Sequence, residues 1–250
     1  MLDLVSFVGV DEHTNLDDLI AFDEKYGQDE VGIEYGFLFS VERSQTADKR
    51  YPSLAFIGES VDRLSGSVAT SVHLCGADAI KMYLDGDQNL LDLCMNSRIQ
   101  LNFKMADYDE DELLEKLITR SKDHNAPLIL QSNKSKKNFI DRLLEKANLS
   151  FFDDESDLNI NVLYDGSGGF GREIENVESV FPFFFTGYAG GLKPSNIFKV
   201  LELIESVNHF VTPYYIDMES GVREDDIFSL SKCEAVMEEV LAFQKAKGYV

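Results

Sequence analysis

Two glycine-containing turns in the last quarter of the chain have the composition of an anion-binding site. One is Gly190-Gly191 and the other is Ser220-Gly221, and each follows an apolar, aromatic-rich segment typical of a strand. Glycine lets backbone N–H groups approach an anion closely, because it has no side chain. A helix that begins nearby adds partial positive charge. We therefore predict that these four residues bind a phosphate group.

Another candidate is Asp165, a carboxylate at the end of a different apolar segment. It is followed by Gly166-Ser167-Gly168-Gly169. A glycine-rich run of this kind leaves the backbone free to wrap around a ligand. We predict that Asp165 is a functional carboxylate and that Gly168 and Gly169 contact the same ligand.

Eight strand-like segments alternate with helical segments along the chain. The predicted strands are residues 4–10, 32–39, 68–74, 98–103, 127–131, 161–164, 181–185 and 214–217. The predicted helices are residues 15–22, 52 to about 64, 77–95, 109–122, 134–147, 195–207 and 230–246. Alternating units require helical crossovers between parallel strands. We therefore predict an α/β fold, a single parallel eight-stranded (β/α)8 TIM barrel over residues 1–250. The alternative is an open doubly wound sheet, but its GxGxxG fingerprint is missing after the first strand.

Further polar residues follow the predicted strands, at the end where barrel enzymes keep their chemistry. They are Asp11, His13, Arg50, Cys75, Asn102, Gln131, Asp217 and Glu219. Asp11 and His13 have the alternative role of solvating a loop or a helix start. Cys75 has the alternative role of a small buried filler. Glu34 lies in mid-strand and is either a paired interior carboxylate or an edge of the cleft.

The chain is strongly acidic, with 23 Lys and Arg, 45 Asp and Glu, and a formal net charge of −22. A field of that sign repels polyanions, so we expect no nucleic-acid partner and no membrane partner. The three cysteines form no CxxC pair, and the four histidines have no HxH or HExxH spacing. We therefore expect no metal and no cofactor. No segment has the pattern of a signal peptide or a membrane span, which favours a cytoplasmic protein.

Two motifs resemble the phosphoribosylanthranilate isomerase family. They are Ala189–Ile197 and Ile216–Val222, where the family has A/S-G-G-L-x-P-x-N-V and V-D-V-S-S-G-V. Weaker similarities occur at Arg50-Tyr51, Gln100–Asn102 and Leu163–Asp165. The order and spacing hold over essentially the whole chain, whereas the specific motifs cover its last quarter. The resemblance implies a single barrel that catalyses an Amadori-type rearrangement of a small phosphorylated sugar or amino-sugar.

The resemblance also implies roles for individual residues. Asp165 matches the family's general acid, Arg50 its substrate-loop arginine, and the two glycine turns its phosphate-binding loops. Asp217 falls in the second motif and is expected in the substrate site. The family's general base, a cysteine at the end of strand one, is replaced here by Val8. Further departures are Asn102 in place of a histidine and Glu219 in place of a serine.

The missing base leaves two hypotheses open. In the first, the chain is an isomerase-like enzyme in which Asp11, or less favourably Cys75, takes the place of the base. In the second, the barrel is a non-catalytic protein that binds or senses a phosphorylated metabolite. A titratable side chain at the mouth of strand one or two, facing Asp165, would favour the enzyme. The chain is expected to be a monomer or a homodimer, with little ordinary phosphoribosylanthranilate isomerase activity.

Overall fold

Eight parallel strands form a closed barrel, in which each strand pairs with the next and the last pairs with the first. Their bounds are Leu2–Val8 (β1), Gly32–Phe39 (β2), Ala69–Cys75 (β3), Arg98–Asn102 (β4), Leu128–Ser132 (β5), Ile160–Asp165 (β6), Thr186–Ala189 (β7) and Tyr214–Met218 (β8). The predicted (β/α)8 barrel is confirmed, and the open doubly wound sheet is excluded because β1 pairs with both β2 and β8.

The computed structural model describes residues 1–27, 31–46, 48–123, 125, 127–133, 135–146, 158–165, 174, 177, 184–208 and 212–249. Its helices are Leu16–Tyr26 (α1), Leu54–Leu64 (α2), Ala77–Asp85 (α3), Gln88–Cys94 (α4), Glu110–Asp123 (α5), Lys137–Lys146 (α6), Ile197–Val207 (α7) and Leu230–Lys247 (α8). Short 3-10 turns occupy Arg43–Gln45, Met105–Asp107, Pro194–Asn196 and Ser220–Val222, and a hairpin of Arg223–Glu224 (β9) and Ile227–Phe228 (β10) follows β8. Within these described ranges, no helix is both long enough and apolar enough to cross a membrane.

The helical segment predicted over residues 77–95 is two helices. Gly86 ends α3 in the left-handed conformation, with φ 87° and its N–H bonded back to the last turn. The Asp87 side chain then accepts the N–H of Leu90 at 3.1 Å and so begins α4. The left-handed glycine ends one helix and the acidic N-cap begins the next. These two residues break the helix even though the apolar periodicity continues through them.

The seventh strand is Thr186–Ala189, whereas the aromatic segment 181–185 was predicted. Residues 181–183 of that prediction lie outside the described residues. A Cβ added to Gly187 would lie 2.1 Å from Cζ of Tyr215, the residue paired with it on β8. The small strand residue is therefore required by the bulk of its neighbour. Local hydrophobicity placed Phe184 and Phe185 in the strand, which instead begins at Thr186, because the large side chain at this level of the barrel comes from β8.

A buried ion pair inside the barrel settles the alternatives left open for Glu34. Its carboxylate accepts two hydrogen bonds from Arg98, at 2.6 and 2.8 Å, and one from Ser6 at 2.8 Å. Arg98 also lies 4.3 Å from the ring centroid of Tyr215. Although burial alone would raise the pKa of Glu34, the Arg98 guanidinium holds that pKa below its usual value. Glu34 is thus the paired interior carboxylate.

Candidate functional site

A cavity of about 930 Å³ opens at the C-terminal ends of the strands, and all eight strands contribute to its lining. This volume lies within the range of small-molecule sites. The strand residues that line it are Val8, Leu38, His73, Cys75, Gln100, Asn102, Gln131, Leu163, Asp165, Ala189, Asp217 and Met218. The loops add residues that include Arg50, Phe103, Lys104, Asn133, Ser135, Lys136, Gly190, Gly191, Glu219 and Ser220.

The Gly190-Gly191 turn borders this cavity directly after β7. Both residues have positive φ, 126° and 58°. Asn196 holds the turn, because its amide donates to the carbonyl of Gly191 at 2.9 Å and its oxygen accepts the N–H of Lys193 at 2.9 Å. These positive φ values favour glycine at both positions. Successive peptide groups in such a turn can form a concave backbone surface that binds an anion.

The second turn packs against the first. A Cβ added to Gly221 would lie 1.8 Å from the carbonyl oxygen of Leu192, so a side chain at this position cannot be accommodated. Ser220 lines the cavity beside Gly191, whereas Gly221 lies behind it and is not part of the lining among the described residues. The predicted donors Gly190, Gly191 and Ser220 therefore surround one space, and Gly221 allows the two loops to meet.

Asp165 faces the same cavity from the end of β6. It is 4% exposed and pairs in register with Ala189, the residue that precedes the Gly190-Gly191 turn. The carboxylate and the glycine turn are thus neighbours across adjacent strands. The predicted ligand residues Gly168 and Gly169 lie outside the described residues.

Arg50 lines the cavity but is held by carboxylates. Its Nε lies 2.6 Å from Oδ1 of Asp226, and its Nη1 lies 3.4 Å from Oε1 of Glu219. Burial raises the pKa of Glu219, and the Arg50 charge opposes that rise. A carboxylate beside the glycine turns opposes a phosphate dianion unless it turns away or pairs with a basic residue such as Arg223. The structure pairs Glu219 with Arg50 instead.

Asp11 lies apart from the cavity lining of the described residues, although it was the first candidate for a substitute base. Its Oδ2 lies 2.9 Å from Nη2 of Arg223 and accepts the N–H of Phe228 at 2.9 Å. Its Oδ1 accepts the N–H of His13 at 3.1 Å. Because the carboxylate is 1% exposed and bound on both oxygens, Asp11 anchors the β9–β10 hairpin to the end of β1. This geometry does not match the expected role.

Cys75, the second candidate base, does line the cavity. Burial raises the pKa of its thiol to about 11, and its sulfur accepts a hydrogen bond from Nδ2 of Asn102 at 3.4 Å. A thiol with so high a pKa stays protonated at neutral pH and is a poor proton acceptor. Val8 itself lines the cavity at the end of β1. The structure therefore places an apolar side chain where the resemblance requires a base.

Asp217 and His73 form a neutral pair at the floor of the cavity. Oδ2 of Asp217 lies 3.9 Å from Nε2 of His73. Burial raises the pKa of Asp217 to about 8 and lowers the pKa of His73 to about 4. Oδ2 of Asp217 and Oε1 of Gln100 are buried without a hydrogen-bond partner in the described structure. Two unsatisfied polar atoms beside a cavity are the positions where ligand donors are expected.

Asp217→Asn is expected to stabilise the fold above neutral pH. In the unfolded chain this carboxyl ionises near pH 4, whereas in the folded chain its pKa is about 8. The folded state therefore binds more protons between these values, and the wild-type free energy of unfolding falls as the pH rises through that window. The variant lacks this loss, so its advantage is expected to vanish near pH 4 and to grow by at most about 1.4 kcal/mol per pH unit, reaching a few kcal/mol at pH 8.

Urea unfolding at pH 4, 6 and 8 measures this difference. The other charged groups that act on Asp217 are Glu34, Asp165 and Glu219, which raise its pKa, and Arg98, which lowers it. Asp62→Asn is the matched control, because Asp62 is exposed on α2. An Asp217→Asn variant that is less stable than wild type at pH 8 would contradict the prediction.

Lys136 is a cavity residue that the sequence analysis did not single out as functional. It directly precedes α6, its side chain is 5% exposed, and its Nζ lies 4.4 Å from the ring centroid of Phe103. Burial lowers its pKa to about 8, and the charge of Asp165 opposes that shift. The available signal was a polar stretch, Asn133 to Lys136, where a predicted strand gives way to a predicted helix. Such stretches are common, so the signal was weak.

The described residues contain no cluster of three or more His, Cys, Asp or Glu side chains suited to a metal ion. The polar groups of the cavity lie singly or in pairs, such as Asp217 with His73 and Cys75 with Asn102. The arrangement suits recognition of a polar organic ligand and transfer of protons to and from it.

No protein-family model matches the chain, and no curated protein matches it. Phosphoribosyl anthranilate isomerase from Thermus thermophilus is similar in structure, with 16% identity, a TM-score of 0.57, and coverage of 97% of this chain and 99% of that chain. The isomerase from Pyrococcus furiosus has 16% identity and a TM-score of 0.56, with 96% and 99% covered. TrpF from Jonesia denitrificans has 13% identity and a TM-score of 0.59, with 97% and 98% covered. At these identities the likeness shows a shared barrel fold.

Proposed function

We propose that this barrel binds a small phosphorylated sugar or amino-sugar and acts on it as an isomerase-like enzyme. The observation that carries the proposal is the meeting of Gly190-Gly191 and Ser220 at the edge of the cavity that Asp165 faces. Backbone N–H groups at such turns bind phosphate without requiring many basic side chains. A phosphate held there would leave the sugar carbons within the cavity, toward Asp165.

The charge of the cavity lining supports an anionic ligand despite the net charge of the chain, −22. Among the described lining residues, the acidic ones are Asp165, Asp217 and Glu219, and the Lys and Arg residues are Arg50, Lys104 and Lys136. Because burial raises the pKa of Asp217 to about 8, that carboxyl is mostly uncharged at neutral pH. The charge of the cavity lining is therefore close to neutral. Hydrogen-bond donors in the cavity can bind an anion against less electrostatic repulsion than the net charge of the chain suggests.

Asp165 is assigned the role of general acid in an intramolecular aldose–ketose rearrangement of the Amadori type. The fold similarity to phosphoribosyl anthranilate isomerases supports this reaction class, as do the motif resemblances at both glycine turns. A general acid must lie within hydrogen-bond reach of the atom that it protonates, and Asp165 borders the ligand-sized space. The organic substrate itself is assigned only by class.

A second candidate function is non-catalytic binding of a phosphorylated metabolite on the same barrel. It is favoured by Val8 at the end of β1 and by the ion pair that occupies Asp11. Val8 has no group that accepts a proton, and the Asp11 carboxylate is bound by Arg223 away from the described cavity lining. Binding without turnover across a panel of sugar phosphates would support this second function over the first.

Replacing Gly191 tests the phosphate assignment that both functions share. Gly191→Val is expected to weaken ribose 5-phosphate binding at least tenfold, because a β-branched side chain disfavours φ 58° and narrows the turn. Gly66→Val is the matched control, since Gly66 has φ 77° and no atom within 4 Å of an added Cβ. Both variants carry comparable backbone strain, but only one lies in the cavity.

Isothermal titration calorimetry with ribose 5-phosphate and with ribose measures the effect. Wild type and Gly66→Val should prefer the phosphorylated sugar, and Gly191→Val should lose that preference. Circular dichroism checks that all three proteins are folded. Unchanged affinity in a folded Gly191→Val protein would show that the phosphate binds elsewhere or not at all.

A further inference from the structure

We propose that Lys136 is a nucleophilic amine that forms an imine with the carbonyl group of a small aldehyde or ketone in the cavity. This activity goes beyond binding and isomerisation of a sugar phosphate. It concerns the same cavity, but it does not rest on the phosphate assignment, because imine formation needs only a carbonyl carbon within reach of Nζ.

Hydrogen bonds fix the backbone of Ser135 and Lys136. The side chain of Asn133 accepts the N–H groups of Ser135 and Lys136 at 3.1 and 3.2 Å. The carbonyl of Lys136 accepts the N–H of Ile140 at 3.0 Å, which makes Lys136 the residue from which α6 starts. The buried Lys136 side chain therefore lines the cavity from a hydrogen-bonded helix start, as a positioned catalytic group requires.

The surroundings of the amine disfavour its charged form. Its polar partner is the neutral oxygen Oε1 of Gln131 at 3.4 Å, and the Phe103 ring shields the amine from water, although a ring face also attracts an ammonium. Within the described residues Lys136 forms no ion pair of 4 Å or less, and it lies at the positive end of a helix dipole. Burial therefore lowers the pKa of Lys136 to about 8, although the charge of Asp165 opposes the shift. Neutral amine is thus available near physiological pH, as in lysines that form Schiff bases.

The step requires no redox partner. The lone pair of Nζ attacks the carbonyl carbon, a C–N bond forms, and the former carbonyl oxygen takes up a proton to become a hydroxyl. That proton comes from the nitrogen by way of the Asp165 carboxylate. Solvent then protonates the hydroxyl, and the second nitrogen proton returns to solvent once the C=N bond has formed. Water leaves as the nitrogen lone pair completes the C=N bond. The net change is amine plus carbonyl to imine plus one water.

Reductive trapping on the full chain tests this proposal. The protein is incubated at pH 7.5 with glyceraldehyde or ribose 5-phosphate in the presence of sodium cyanoborohydride, which reduces an imine to a stable secondary amine. Peptide mass spectrometry then locates the adduct. Lys136 is expected to be labelled at least tenfold faster than Lys137, its exposed neighbour in the chain.

Two variants separate nucleophilic chemistry from charge. Lys136→Arg keeps a positive charge and is expected to remove the fast phase of adduct formation measured on the intact protein, whereas Lys137→Arg should leave that fast phase unchanged. Equal labelling of Lys136 and Lys137 in the folded wild type would overturn the proposal without any variant. Absence of an adduct on Lys136 would overturn it as well.

The two probes distinguish this proposal from the proposed function. Glyceraldehyde carries no phosphate and reports on the amine alone, so its labelling of Lys136 should be the same in wild type and Gly66→Val. Labelling by ribose 5-phosphate should fall in Gly191→Val if the glycine turns hold the phosphate. One outcome separates the two proposals: glyceraldehyde labels Lys136, and labelling by ribose 5-phosphate is unchanged in Gly191→Val. That result would support the nucleophilic amine and reject the phosphate site.

Discussion

Phosphoribosylanthranilate is expected to be turned over by the wild-type chain at least about 10²-fold more slowly than by an ordinary enzyme of that class. General acid–base catalysis contributes roughly 10²–10⁴-fold, and the position that the resemblance assigns to the base holds Val8. Val8 lines the cavity, Asp11 is bound to Arg223, and the pKa of Cys75 is raised to about 11 by burial. Asp165 can donate a proton but cannot remove another from the opposite side of the substrate.

Steady-state turnover of wild type, Val8→Cys, Val8→Ala and Asp165→Asn measures this expectation. Val8→Cys is expected to raise turnover by about tenfold or more, because it restores a thiol at the end of β1. Val8→Ala is the matched control, since it enlarges the cavity without adding a titratable group. Asp165→Asn should remove any residual activity. A wild-type rate in the usual enzyme range of roughly 1–10³ per second would contradict the prediction and require a base elsewhere.

Arg98→Met is expected to lower the free energy of unfolding by about 3–5 kcal/mol, because it leaves the Glu34 charge buried without its partner. Glu34 is 1% exposed, and Arg98 binds it through two hydrogen bonds at 2.6 and 2.8 Å. Arg98 also donates to Oδ1 of Asn161 at 3.1 Å and covers the ring of Tyr215. The substitution therefore also removes packing inside the barrel.

Urea unfolding at pH 7 checks the size of this loss. Arg63→Met is the control, because Arg63 pairs with Asp17 at 2.6 Å while both side chains are more than half exposed. That exposed pair is expected to contribute far less. Adding Glu34→Gln to Arg98→Met should recover part of the stability by removing the unpaired charge. Equal effects of Arg98→Met and Arg63→Met would show that the interior pair does not matter to folding.

The order of strands and helices was predictable from the sequence, and for a local reason. Periodicity, caps and breakers act over a few residues, so eight alternating segments were visible without tertiary contacts. The second strand was predicted with the bounds that it has, Gly32–Phe39. The seventh strand was not, because the space that Gly187 leaves is filled by Tyr215 from β8.

Part of the candidate site was also open to prediction, because a closed parallel barrel brings all strand ends to one face. Asp165, Arg50, Asp217, Gly190, Gly191 and Ser220 line a common cavity as a consequence. Their place in the chain was sufficient to bring them together. The apolar residue Val8 at the end of β1 was likewise evident from the sequence.

The tertiary structure alone decided the state and partners of the charged groups. Asp11 is held by Arg223, more than 200 positions away, and Glu34 is held by Arg98. Oδ2 of Asp217 faces His73 with no hydrogen-bond donor among the described residues. Lys136 was likewise undistinguished until its burial against Phe103 was known. Sequence determines which residues reach the barrel mouth, because local periodicity determines where each strand ends. Ionisation depends on burial and on charges a few ångströms away, and those distances exist only once the barrel has closed.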